Sequence, residues 1–190
     1  MILSQSVATS ALDAVISQFN NGTYTLYSGT KPASPETALS GNTALATFTF
    51  SATAFGTPSY SSGKISAVAS FVSSSISPIA GGTALWARAY TSSSVAIADF
   101  TVSSPWYPST VVAVGQYVTN GGNTYVYTTA GTTASTGSGP TGTGTSITDG
   151  TAVAQYVGAG ITTDGQLGNA NIQQGVDVSI TSMNVSIAAL

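Results

Sequence analysis

The chain of 190 residues contains no cysteine and no histidine. The first absence excludes disulfides and thiol chemistry. The second removes the commonest general base and the commonest metal ligand. Charge is nearly missing as well. Lys31, Lys64 and Arg88 are the only cations; Asp13, Glu36, Asp99, Asp149, Asp164 and Asp177 are the only anions. Charged residues make up 5% of the chain, against about 25% in an ordinary soluble protein. Three scattered cations cannot neutralise a run of phosphates, so nucleic acid is excluded as a partner. Anionic membrane surfaces are excluded for the same reason. No apolar run approaches the ~20 residues of a spanning helix. Met1-Ile2-Leu3 passes at once into Ser4-Gln5-Ser6, without the basic start and apolar core of a signal peptide. Synthesis in a cytoplasm without classical export is expected.

Hydroxyls stand in place of charge: 29 Ser and 29 Thr. They hydrate a surface without creating a field, and little repulsion remains between copies. Together with Val and Ile they favour extended backbone over helix. The pattern predicts one helix. Leu12, Val15, Ile16 and Phe19 make a stripe at i, i+3, i+4 and i+7. Thr9 or Ser10 is its expected cap, with Asp13 in a capping-box relation to Ser10. Asn20-Asn21-Gly22 is its expected end.

The remainder reads as short strands and turns. Strands are expected at 23–27, 44–50, 65–72, 83–90 and 95–102, and in an alternating run from Val176 to Ile187. Trp86, Arg88 and Tyr90 share one face by period two. Short strands separated by Gly, Ser and Pro predict a mainly β fold, a β-sandwich host domain with one N-terminal α-helix. The middle has a different texture. Pro105-Trp106-Tyr107-Pro108 opens it, and expected strands at 111–118 and 124–129 flank Asn120-Gly121-Gly122-Asn123, a hairpin signal. Residues 131–145 are almost wholly Gly, Thr, Ser, Ala and Pro, an irregular loop. Asp149-Gly150-Thr151 leads into a last strand through Val157. We therefore expect residues 1–103 plus 159–190 to form the host domain. Residues 104–158 would be an inserted small β module at a loop tip.

The residues offer little chemistry. A serine nucleophile lacks a histidine base, leaving only lysine. The acidic residues lie beside turns and strand ends, where Asp bonds backbone N–H groups. No dense acidic loop suggests calcium. No catalytic residue, cofactor site or metal site is assigned, and the chain is expected not to be an enzyme. Arg88 can pair with Asp99 or stack on Trp86 and Tyr90. Trp106, Tyr107, Tyr125, Tyr127 and Tyr156 form either the core of the insert or a candidate ligand or partner surface.

Two ordered sets of motifs resemble known families. The first comprises Leu12-Asp13-Ala14-Val15, Gly22-Thr23-Tyr24-Thr25-Leu26-Tyr27, Ser28-Gly29-Thr30-Lys31-Pro32, Gly82-Thr83-Ala84-Leu85-Trp86-Ala87-Arg88, Ile97-Ala98-Asp99 and Ile172-Gln173-Gln174-Gly175-Val176-Asp177-Val178. Along residues 7–103 and 160–190 it resembles a family of small structural proteins of tailed bacteriophages. The second comprises Trp106-Tyr107-Pro108, Val114-Gly115-Gln116-Tyr117-Val118, Tyr125-Val126-Tyr127 and Asp149-Gly150-Thr151. It is similar to a module of phage fibre and decoration proteins related to chitinase-type carbohydrate-binding modules. The Trp often found after Asp-Gly-Thr in that module is absent here, where the strand carries Tyr156. These resemblances imply a virion protein, a capsid decoration or cement protein on the outer shell. Its partners would be the major capsid protein or other virion proteins and its own copies in a homo-oligomer. The alternative is a tail-tip, baseplate or fibre protein, with a host glycan as candidate partner.

Overall fold

The computed structural model describes residues 3–161 and 163–188. Met1, Ile2, Thr162, Ala189 and Leu190, which fall within the expected N-terminal segment and host boundaries, lie outside the described residues. The fold is mainly β with an N-terminal helix. Helix α1 spans Gln5–Ile16 and tightens into a 3₁₀ turn over Ser17–Phe19. It begins earlier than expected, with Ser4 as its extended N-cap residue. Thr9 and Ser10 are not caps. Their hydroxyls donate to the carbonyls of Gln5 and Ser6 at 2.9 and 3.1 Å. This back-bonding satisfies hydroxyl side chains inside a helix. The buried row is Ala8, Leu12, Ile16 and Phe19, whereas Val15 is exposed. Phe19 meets Phe50 and Phe55 edge-on, with ring centroids 5.6 and 5.3 Å apart. The helix ends as expected at Asn20-Asn21-Gly22. Asn21 is left-handed at φ 56°. A Cβ on Gly22 would stand 2.1 Å from the Tyr90 carbonyl oxygen, so only glycine fits.

The host strands are β1 (Thr23–Tyr27), β2 (Ala44–Phe55), β3 (Ser59–Ser61), β4 (Lys64–Phe71), β5 (Ser75–Ile76), β6 (Gly82–Thr83), β7 (Trp86–Tyr90) and β8 (Ala96–Pro105). The middle contributes β9 (Val111–Val112), β10 (Tyr117–Asn120), β11 (Asn123–Thr129), β12 (Gly131–Thr132), β13 (Ile147–Asp149) and β14 (Ala152–Ala159). The chain closes with β15 (Gly165–Leu167), β16 (Asn171–Ile172) and β17 (Val178–Ala188). Neighbours run β8-β15-β17-β4-β2-β1-β7, and β7 pairs again with β8. The sheet thus closes on itself in a barrel- or sandwich-like arrangement. Every pairing in this ring is antiparallel except β8 with β15. Within this ring every strand has two neighbours, which leaves none of the exposed edges that invite aggregation.

Two expected strands are interrupted and one starts late. Residues 83–90 break at Ala84-Leu85, because β6 pairs with β16 while β7 joins the ring. Residues 111–118 break at a turn where Gly115 adopts φ 83° and the Gln116 side chain accepts a bond from the Ala113 N–H. Val176 precedes β17 and is exposed.

Buried apolar side chains among the described residues form two separate clusters. The larger one fills the ring and the helix contact, with Tyr24, Leu26, Phe48, Phe50 and Met183 fully buried. The smaller one comprises Val112, Val118, Tyr125, Tyr127, Ala152 and Ala154, with Trp106, Ile147 and Tyr156 packed against it. Strand β8 serves both. Its first part pairs with β7, and Ser103 to Pro105 pair in parallel with β10. The β10–β11 hairpin turns through Gly121 and Gly122 at φ 55° and 78°. Two positive φ values in a two-residue loop are what a type I′ turn requires.

Candidate functional site

The five aromatic residues singled out in the sequence separate in space. Tyr125 and Tyr127 point into the small cluster and are 0% and 1% exposed. Tyr156 is half-buried and meets Tyr125 edge-on at 5.9 Å. Trp106 is half-buried too, and Gly139 of the glycine-rich loop lies across its ring. A Cβ on Gly139 would come within 2.6 Å of the indole. Only Tyr107 is well exposed, and its hydroxyl donates to the Gly168 carbonyl at 2.9 Å. In this conformation the five do not make one open stacking face; four of them build or line the core of the small cluster.

Asp149 organises that core. It is 2% exposed. Its Oδ2 accepts bonds from Trp106 Nε1 at 2.8 Å and from the Tyr127 hydroxyl at 2.6 Å, and its Oδ1 accepts one from the Ala134 N–H at 2.9 Å. Three donors replace the water that a buried carboxylate loses. Burial, and then the Asp149 carboxylate, push the Tyr127 phenol well above the usual tyrosine range. The next two residues complete the clasp. Gly150 sits at φ 67° with no room for a Cβ beside the Thr132 carbonyl. The Thr151 hydroxyl accepts a bond from the Thr132 N–H at 2.8 Å. The Asp-Gly-Thr motif was visible in the sequence; that its carboxylate ties Trp106 to Tyr127 was not.

Arg88 makes the second constellation. It lies on the outward face of β7, yet is 3% exposed. Its Nε and Nη2 donate to the two oxygens of Asp99 at 2.6 and 2.8 Å. Nη1 and Nη2 also donate to the carbonyls of Thr37 and Ser34 at 3.0 and 3.1 Å. The fork therefore pins the segment between β1 and β2 over the ring. The guanidinium stands 5.4 Å from the Trp86 ring centroid, so ion pair and ring contact coexist. Trp86 stacks on Tyr27 at 4.8 Å, and the Tyr27 and Tyr90 hydroxyls are 2.8 Å apart.

Other carboxylates tie turns. Asp164 accepts the Thr101 N–H at 3.0 Å and Asp177 accepts the Ser77 hydroxyl at 3.0 Å. Among the described residues, no group of three or more metal-ligating side chains gathers. No helix among them is long and apolar enough to cross a membrane. Comparison with known protein families, with curated proteins and with solved structures finds no match to this chain.

Proposed function

We propose that this chain is a non-catalytic structural protein of a tailed bacteriophage particle, a decoration or cement protein on the outer face of the capsid shell. In this reading the ring domain binds the shell and its own copies, and residues 104–158 project outward. The observation that carries it is the use made of the interior charges. Arg88, Asp99 and Asp149 are all engaged in internal bonds that hold covering loops in place. Such groups supply rigidity; a catalytic group needs a free hydrogen-bonding position for substrate. The surface fits the same role. It carries few charges and scattered apolar side chains such as Val72, Val95 and Val111, which suits close packing in a symmetric assembly. The phage setting rests on the motif resemblance.

Mass spectrometry of purified particles tests the proposal. High copy number per particle, and loss of outer-shell density when the gene is deleted, are the expected results. Absence from particles, or turnover by the purified chain, overturns it. Low copy number confined to the tail would favour the tail-tip or fibre reading, for which exposed Tyr107 is the remaining aromatic contact.

A further inference from the structure

A cavity of about 310 Å³ lies at the seam between the ring and the small cluster. Both parts of the chain build it. Thr30 and Lys31 follow β1, Trp86 starts β7, Thr101 belongs to β8, Val114 comes from the turn between β9 and β10, and Tyr117 starts β10. Its size matches the lower end of small-ligand sites, roughly 300–1,000 Å³.

The chemistry of the wall is one-sided. Among the described residues, no carboxylate lines it. Lys31 contributes an exposed ammonium group, and the ion pair between Arg88 and Asp99 does not involve it. Trp86 is 1% exposed, and its indole N–H has no acceptor among the described residues. A buried donor without an acceptor is rare and unfavourable by roughly 1–3 kcal/mol. Thr30 and Thr101 add hydroxyls. Tyr117 and Val114 add ring and aliphatic surface, with Trp86 behind them, its ring covered by Tyr27 and Arg88. Such a wall suits a compact ligand with an apolar ring face, several oxygens and one negative charge. A neutral sugar leaves the ammonium unmatched, and a bare inorganic anion leaves the apolar surface unused.

We propose that the seam cavity binds a hexuronic acid unit of an acidic polysaccharide, with its carboxylate at Lys31 and its ring against Tyr117 and Val114. This site is separate from the Trp106 surface. It stands independently of the shell role, since a titration tests it with the purified chain alone.

The test is calorimetric and tryptophan-fluorescence titration of the full chain with sodium glucuronate and with an oligogalacturonate. Glucose and acetate serve as controls. Saturable binding of the uronates, with both controls much weaker, is expected. Lys31→Met should weaken uronate binding about tenfold, equivalent to ~1.4 kcal/mol. Its side chain is exposed, so an unchanged circular dichroism spectrum is expected with it. Val114→Trp, at another exposed position, should fill the cavity and abolish binding. No uronate binding at millimolar concentration, glucose binding as tight as glucuronate, or full affinity in Lys31→Met would each overturn the proposal.

Discussion

Replacing Asp149 by alanine should unfold the small cluster while leaving the ring intact. The carboxylate accepts three bonds, and alanine accepts none. The Tyr127 hydroxyl is then stranded in a fully buried position, worth the upper part of the roughly 1–3 kcal/mol assigned to an unmade buried bond. The Trp106 and Ala134 donors are half-buried and contribute less. The sum is about 3–5 kcal/mol, and relief of the carboxylate's own burial moves it toward the lower figure. Domains have about 5–15 kcal/mol in total, and here six buried apolar residues hold the cluster. Asp149→Asn keeps the shape and one acceptor oxygen, and the tyrosine hydroxyl can rotate to accept from the new amide. It should be distinctly milder. Amide hydrogen exchange followed by mass spectrometry resolves the two parts. Protection should fall across β10 to β14 and persist across β1, β2 and β4. An Asp149→Ala variant within about 0.5 kcal/mol of the parent, the range of ordinary surface changes, would refute the clasp. Equal loss of protection in the ring would refute the separation of the two clusters.

Arg88→Met should cost about 3–5 kcal/mol, because it leaves the Asp99 carboxylate buried and unpaired. It should also release residues 34–37 to proteolysis, and an unchanged melting temperature with an uncut loop would contradict this. Alkaline behaviour follows from three phenols. Burial is the main cause that raises Tyr24, Tyr27 and Tyr127 above the ordinary tyrosine value; the bond to Tyr90 adds to it for Tyr27, and Asp149 adds to it for Tyr127. A phenol whose folded value lies above its unfolded one contributes stability that is fully present below about pH 10 and is lost as pH rises further. Stability should therefore be insensitive to these groups at neutrality and fall above pH ~10. Absorbance at the phenolate band should show the three ionising only with unfolding. All nine tyrosines titrating together in a folded chain would disprove the burial.

Much of the local architecture was legible from residue order. Strand β1 falls where its alternation of apolar and hydroxyl residues placed it. Asn120-Gly121-Gly122-Asn123 makes the turn its glycines require. The helix ends at Gly22 because nothing larger fits there. Composition alone removed imidazole and thiol chemistry. These features depend on a few neighbouring residues, so the chain states them directly.

Long-range features were hidden. Periodicity shows that Trp86, Arg88 and Tyr90 share a face, but it cannot show that Ser34 and Thr37 cover the Arg88 side chain with their backbone. The Asp-Gly-Thr signal marks a turn, while the partners of Asp149 come from 15 to 43 positions away. Val15 matched the helical stripe but faces outward, because the sheet beneath meets the row through Ala8, Leu12 and Ile16. The parallel contact of β8 with β15 is a pairing of segments far apart in the chain. Only packing selects such pairings: a residue's spacing reports which way it points, and what it meets there depends on where the rest of the chain has gone.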